Sequence, residues 1–95
     1  MIISYNNINK LDLHGIDRDY AKILINEFIN DNYKMKNRQV IIVHGNGTGT
    51  IRKITQETLK KNKLVEEYKI DNFNSGTTIV TIRKNSWHKT LKMLE

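Results

Sequence analysis

Apolar and polar positions alternate with two different periods along the chain, and these periods predict strands and helices in turn. In the segment 10–15, Leu11 and Leu13 alternate with polar residues, which predicts a short strand that ends in a turn. Asp17 is a suitable N-cap for a helix that we expect to end near Asn32. The inner face of this helix is predicted from apolar residues spaced three and four positions apart: Ala21, Leu24, Ile25, Phe28 and Ile29.

The second strand is predicted at residues 39–43. Its four consecutive β-branched residues are typical of a central strand that is buried on both faces. A strand, a helix and a second strand form a right-handed crossover, so the two strands are predicted to be parallel. Their carboxyl ends then meet at one edge of the sheet, where open α/β sheets bind their ligands.

The second half of the chain predicts a second helix and a hairpin. The helix spans about residues 50–61, and its inner face carries Ile51, Ile54, Thr58 and Leu59. Strands are expected at 64–71 and 77–83, joined by a turn from Asn72 to Gly76. The predicted order is therefore βαβαββ, a two-layer α/β sandwich with a four-stranded mixed sheet and two helices on one face.

Three segments follow from this order. We expect an N-terminal arm at residues 1–9, one domain at residues 10–84, and a tail or short helix at residues 85–95. The initial Met1 favours a complete gene product. No apolar run approaches the ~18 residues that a membrane span needs, and no signal-peptide pattern opens the chain, so we predict a cytoplasmic protein without a membrane partner.

The charge of the chain is basic and uneven. The net charge is +6, and residues 46–95 carry ten basic and five acidic side chains against six and five in residues 1–45. This excess favours a polyanionic partner such as nucleic acid, although lysine on a solvated surface would give the same balance. The chain has no cysteine, which excludes disulfides and thiolate zinc sites.

A glycine-rich turn joins the second strand to the second helix. It reads His44-Gly45-Asn46-Gly47-Thr48-Gly49. Backbone N–H groups of such a turn and of the following helix point at one place, where the helix dipole favours an anion such as phosphate. Arg52 and Lys53 lie in the first helical turn, where the dipole disfavours cations unless a bound anion compensates them. The turn matches neither a P-loop nor the dinucleotide-binding fingerprint.

Two histidines and one aspartate are candidates for acid–base chemistry at the same edge. Asp12 and His14 are predicted to share the open face of the first strand, where histidine can transfer protons near neutral pH. The alternative is an exposed polar pair without chemistry. His44 is either a second proton-transfer group or a ring that binds the backbone and fixes the turn. Metal-ion catalysis needs several carboxylates and only Asp12 is well placed, so we predict no cofactor, with Mg²⁺ as the rival.

These motifs resemble those of the Smr (small MutS-related) domain family. The resemblance rests on Leu11-Asp12-Leu13-His14-Gly15 followed by the glycine-rich turn, and it continues through Ile51-Arg52-Lys53, Gln56-Glu57 and residues 75–80. It covers about residues 10–84 and is strongest toward the C-terminal Smr domain of a bacterial MutS paralogue. It implies a two-layer βαβαββ sandwich like the C-terminal domain of translation initiation factor three.

The resemblance also implies a function in nucleic-acid cleavage or binding. Members of the family nick DNA or cleave mRNA on stalled ribosomes, with the first-motif Asp and His, here Asp12 and His14, in catalysis. The residues from His44 to Gly49 correspond to the substrate-binding motif, and Asn46 replaces a Lys of many relatives, which removes a phosphate contact. We therefore predict an endonuclease that favours RNA, with RNA or DNA and a ribosome as partners.

Three alternatives stay open from the sequence. The first is a binding module for nucleic acid or ribosomes without chemistry, and the second is a Mg²⁺-dependent DNA-nicking endonuclease. The third is a protein–protein adaptor, which would have no salt-sensitive affinity for nucleic acid. The sequence leaves the oligomeric state open.

Overall fold

The computed structural model describes residues 8–84, and the order of elements within them is βαβαββ as predicted. The predicted terminal helix and most of the predicted arm lie outside the described residues. The six elements are β1 (Lys10–Asp12), α1 (Arg18–Lys34), β2 (Gln39–Val43), α2 (Thr50–Lys61), β3 (Val65–Asp71) and β4 (Asn74–Ile82).

The four strands form one mixed sheet in the order β1-β2-β4-β3. β1 runs parallel to β2, as the predicted crossover requires, and Asp12 lies opposite Val43. β4 is antiparallel to both β2 and β3, and Thr77 near its start also lies opposite Val43. The carboxyl ends of β1 and β2 and the β3–β4 hairpin therefore share one edge, which we call the site edge.

Both helices pack on one face of the sheet, which confirms the two-layer α/β sandwich. The strands alternate, so that Val40 and Ile42 of β2 face the helices while Ile41 and Val43 face the opposite, open side. Neither helix in the described part of the chain is long and apolar enough to cross a membrane. The buried core combines both layers and consists of Leu13, Ala21, Ile25, Ile29, Val40, Ile42, Leu59, Val65, Val80 and Ile82.

The first helix is longer than predicted. Asp17 caps it as expected, accepting a hydrogen bond from the Tyr20 backbone N–H at 3.3 Å. The helix continues past Asn32 to Lys34 because Asn32 is buried with its amide satisfied. Its Nδ2 donates to the Phe28 carbonyl, and its Oδ1 accepts from the side-chain amides of Asn9 and Asn37.

Two other boundaries differ from the prediction. β1 ends at Asp12, and His14 and Gly15 lie in the turn beyond it, with Gly15 at φ +74°. The predicted turn from Asn72 to Gly76 is shortened to two residues, because β4 already begins at Asn74. Gly76 belongs to the strand, where a Cβ would lie only 3.1 Å from the Gly45 Cα.

Candidate active site at the sheet edge

The glycine-rich turn leaves β2 in a conformation that requires glycine at two positions. Gly45 has φ +75° and Gly49 has φ +84°, both in the left-handed region that other residues rarely adopt. The backbone N–H groups of His44 and Gly45 both donate to the Gly76 carbonyl oxygen at 2.9 Å. The start of β4 therefore holds the start of the turn in place.

The turn ends at the amino terminus of α2, where the geometry is typical of anion sites. Gly49 is the N-cap and has no side chain to accept the first N–H groups, and no acidic residue lies in the first turn. Arg52 and Lys53 follow in that turn and are exposed. A small cavity of about 60 Å³ lies between the turn and the helix, lined by His44, Gly45, Gly47, Thr48, Gly49, Thr50, Ile51 and Arg52.

Two threonines complete the wall of this cavity. The hydroxyls of Thr48 and Thr50 lie 2.9 Å apart, and Thr48 Oγ1 also accepts from the Thr50 N–H at 3.4 Å. Both side chains are exposed, so their hydroxyls and the free helix N–H groups can face a ligand together. An anion with several oxygens, such as a phosphodiester, has the shape and charge that such a set of donors binds.

His44 is buried, with 8% of its surface exposed, and both of its ring nitrogens are hydrogen-bonded. Nδ1 lies 2.9 Å from the Gly45 carbonyl oxygen, and Nε2 lies 2.7 Å from Thr78 Oγ1. A carbonyl oxygen only accepts, so Nδ1 carries a proton; in the neutral ring Nε2 then accepts from the Thr78 hydroxyl. Of the two roles that the sequence left open for His44, this geometry favours fixing the turn.

His14 is exposed and lies just beyond β1 at the same edge. Its ring has no hydrogen-bond partner among residues 8–84. The carboxylate of Asp12 accepts instead from the His14 backbone N–H at 2.9 Å, which forms a tight turn after the strand. Asp12 therefore fixes the backbone that carries His14, and the imidazole remains open to a ligand.

Asn46 connects the glycine-rich turn to the β3–β4 hairpin. Its Oδ1 accepts a hydrogen bond from Ser75 Oγ at 2.9 Å, and both residues are exposed. Together with the bonds to the Gly76 carbonyl, this contact joins two parts of the site edge that are about thirty residues apart in sequence. Sequence reasoning placed Asn46 in the substrate-binding motif and did not foresee its contact with the hairpin.

Phe73 is an aromatic residue of the site edge that sequence reasoning missed. It lies at the hairpin tip with 97% of its surface exposed. The sequence contains a signal for it, since Phe73 is an aromatic residue among the polar and small residues of the predicted turn at 72–76. Tyr33 and Tyr68, by contrast, pack against the core, and Tyr5 and Trp87 lie outside the described residues.

The described part of the chain places two carboxylates at the site edge, Asp12 at the end of β1 and Asp71 at the end of β3. No group of three or more His, Asp or Glu side chains within residues 8–84 has the arrangement of a metal site. Glu66 pairs with Arg38 at 3.4 Å, toward the start of β2 and away from Asp12. Beside these carboxylates, the edge offers a ligand the ring of His14, two cations, the hydroxyls of Thr48 and Thr50 and backbone N–H groups.

Comparison with known proteins identifies relatives of this chain. The model of the Smr domain family matches residues 11–83. The endonuclease MutS2 of Clostridium botulinum (strain Eklund 17B) is 34% identical over 74 residues, and that of Clostridium acetobutylicum is 35% identical over 72 residues. These matches cover 78% and 76% of this chain but only 9% of the length of each relative.

Two solved structures share the fold. The crystal structure of the Smr domain of Thermus thermophilus MutS2 has a TM-score of 0.77 at 24% identity, covering 80% of this chain and 99% of that one. YdaL, a stand-alone small MutS-related protein from Escherichia coli, has a TM-score of 0.75 at 23% identity, covering 79% of this chain and 64% of that one. Both likenesses concern the arrangement of helices and strands.

Proposed function

This chain belongs to the Smr domain family, and on that premise we propose that it is an endonuclease that cleaves phosphodiester bonds in RNA. The observation that carries the proposal is the parallel pairing of β1 and β2. Because of this pairing, an exposed histidine and an uncapped helix terminus lie at the same edge. The relatives named endonuclease MutS2 support the reaction type.

The glycine-rich turn and α2 bind the phosphate in this proposal. Free N–H groups at the helix terminus bind the phosphate oxygens. The hydroxyls of Thr48 and Thr50 share one hydrogen bond, so the pair adds one further donor. Arg52 and Lys53 contact neighbouring phosphates and supply affinity that does not depend on sequence. The phosphate in turn offsets the unfavourable interaction of these two cations with the helix dipole.

His14 acts as the general base. Its ring takes the proton of a ribose 2′-OH, and the 2′-oxygen attacks the adjacent phosphorus. The bond from phosphorus to the 5′-oxygen then breaks, and this oxygen takes a proton from solvent. The products are a 2′,3′-cyclic phosphate and a 5′-hydroxyl. An exposed ring without a partner in residues 8–84 suits this role, since no group of the protein competes with the substrate for its nitrogens.

Asp12 is a positioning residue in this proposal, because its carboxylate bonds the His14 backbone N–H. Asn would keep an acceptor oxygen at the same place, whereas Ala would not. Asp12→Asn is therefore expected to retain cleavage within about three-fold, and Asp12→Ala to lose roughly ten-fold, as for the loss of one such turn bond. Equal and large losses in both variants, measured as initial cleavage rates, would instead assign a catalytic role to the negative charge.

A cleavage assay tests the proposal directly. End-labelled single-stranded RNA and DNA of the same sequence are incubated with the protein, with and without EDTA. We expect cleavage of the RNA at equal rates under both conditions and no cleavage of the DNA, because DNA has no 2′-OH. Cleavage that stops in EDTA would contradict this mechanism and favour the Mg²⁺-dependent nicking of DNA, with Asp12 as a metal ligand.

The second candidate function is binding of nucleic acid without chemistry. It is favoured by the contact of Asp12 with the backbone, because no carboxylate in residues 8–84 orients the His14 ring. It predicts salt-dependent RNA binding at the glycine-rich turn and no cutting of either strand. Ribosomes would then be the next ligand to test, by co-sedimentation with the wild-type chain and with the variant Arg52→Gln/Lys53→Gln.

A further inference from the structure

The tip of the β3–β4 hairpin presents Phe73 to solvent in a fixed position. Asp71 pairs with Asn74, so only Asn72 and Phe73 lie between the strands. Asp71 Oδ1 accepts from the Phe73 N–H at 2.9 Å, which fixes the backbone that carries the ring. With 97% of its surface exposed, Phe73 contributes almost no burial to the fold. The fold therefore does not account for an aromatic residue at this position.

A groove on the open face of the sheet begins beside this ring. It has a volume of about 630 Å³. Ile41 and Val43 of β2 form an apolar floor, since their side chains point away from the helices. Polar groups stand around this floor, with Lys10 on one side and Asp71, Asn74 and Thr77 on the other. An apolar floor with hydrogen-bonding groups at its rim fits the faces and edges of a nucleobase.

The groove and the candidate phosphate site are held together by backbone contacts. Gly76 accepts hydrogen bonds from the N–H groups of His44 and Gly45, and a Cβ at Gly76 would lie 3.1 Å from the Gly45 backbone. The Ser75 hydroxyl adds its bond to Asn46. The hairpin that carries Phe73 is thus fastened to the turn at the amino terminus of α2.

We propose that Phe73 and this groove bind an unpaired base of an RNA strand whose backbone lies on the glycine-rich turn. That the strand is RNA rests on the proposed function. Phe73 stacks on the face of the base, as exposed aromatic side chains do in proteins that bind single strands. A base in a duplex is already paired and stacked, so this contact selects single-stranded RNA. The basic net charge complements such a ligand.

Equilibrium binding of a fluorescent single-stranded RNA tests this inference. The wild type is compared with Phe73→Ala, with Phe73→Trp, and with Met35→Ala as a control that removes an exposed apolar side chain elsewhere. Each protein is titrated with the intact strand, with strands that carry one abasic site at successive positions, and with the duplex. Thermal unfolding of each variant is recorded, and no change is expected for Phe73→Ala since the side chain is exposed.

We expect Phe73→Ala to weaken binding of the intact strand by about 5- to 100-fold, and Phe73→Trp to keep the wild-type affinity. For the wild type, one abasic position should cause a similar loss, and this loss should vanish in Phe73→Ala. Binding with a normal salt dependence that Phe73→Ala leaves unchanged would overturn the inference while the proposed RNA-binding function stands. If Phe73→Ala weakened the binding of intact and abasic strands by the same factor, that result would also overturn the inference. Absence of salt-dependent binding by the wild type would instead contradict the proposed function.

Discussion

The two histidines of the site edge follow neighbouring parallel strands, yet their surroundings are opposite. His44 lies after the central strand β2, is buried, and has both ring nitrogens hydrogen-bonded. His14 lies after β1, is exposed, and has no ring partner within residues 8–84. The residue type is the same, and the position relative to the strand end is similar. The difference therefore comes from what lies beside each strand.

Sheet order explains the difference. β2 is flanked by β4, which supplies the Thr78 hydroxyl for the His44 ring and the Gly76 carbonyl for its N–H. β1 is the edge strand of the described sheet and has a neighbour on one side only. The histidine with two neighbouring strands is held in the structure, and the one at the edge is left for solvent or a ligand. We infer that His14 reacts and that His44 supports the turn.

The largest effect that distinguishes His14 from His44 is expected on the rate of RNA cleavage. His14→Ala should lower the rate of RNA cleavage by about 10²- to 10⁴-fold, which is the usual contribution of a general base. RNA affinity and the midpoint of thermal unfolding should not change, since the ring is exposed and bonds nothing in the described chain. The measurements are single-turnover cleavage, equilibrium binding and thermal melting.

Added imidazole provides the control for this variant. It should restore part of the cleavage by His14→Ala and leave the wild-type rate unchanged, because it replaces only the missing base. A variant that loses RNA binding together with cleavage would contradict the division of roles between His14 and the glycine-rich turn.

The next effect is on stability and concerns His44. His44→Ala leaves the buried Thr78 hydroxyl without its partner and opens a cavity, which should cost on the order of 2–4 kcal/mol of unfolding free energy. The midpoint of thermal unfolding should fall by roughly 10 °C or more. Thr78→Val removes the same bond without a cavity and should cost about 1–2 kcal/mol. A His44→Ala protein of wild-type stability that fails to cleave would show that His44 acts on the substrate.

The smallest effect concerns charges at the two ends of α2. Arg52→Gln/Lys53→Gln should weaken RNA binding and reduce the salt slope of log K by about 1.4, as for two lost phosphate contacts on a single strand. Lys60→Gln/Lys61→Gln removes the same charge from the last turn of that helix and should leave the slope nearly unchanged. Equal slopes for both variants would mean that the RNA responds to net charge and not to this site.

The stabilities of these two variants should change in opposite directions. Removing cations from the first turn of α2 relieves an unfavourable interaction with the helix dipole, so Arg52→Gln/Lys53→Gln should be slightly more stable than the wild type. Lys60 and Lys61 interact favourably with the carboxyl end, and their loss should destabilise by a few tenths of a kcal/mol each. Urea unfolding measures both changes.

Local pattern was enough to predict the order of helices and strands and the sheet edge that the two motifs share. The spacing of Leu11 and Leu13, the helical period that follows, and the run at 39–43 together predict a parallel pair of strands, and the structure has it. The right-handed crossover and the parallel strand direction then place the two motifs at one edge, and this prediction requires no side-chain contact. The spacing of apolar residues within a strand or helix is a local feature, so it can be identified in the sequence without the tertiary contacts.

Contacts between distant residues could not be predicted in this way. The role of His44 depends on Thr78, which is 34 residues away and on another strand. Gly76 appeared to be a turn residue, and its place in β4 follows from its close approach to Gly45. The exposure of Phe73 likewise depends on how short the hairpin loop is. Each of these features is set by packing between elements.

A substrate with one altered sugar tests the central claim most directly. The RNA carries a single 2′-deoxynucleotide on the 5′ side of a mapped cleavage position, and the fragments are compared with those of the unmodified strand. If His14 activates the 2′-OH, cleavage disappears at that bond and continues elsewhere, and the unmodified strand gives ends with a 2′,3′-cyclic phosphate. Continued cleavage at the modified bond would contradict the account, because the attacking group would then be water and not the ribose.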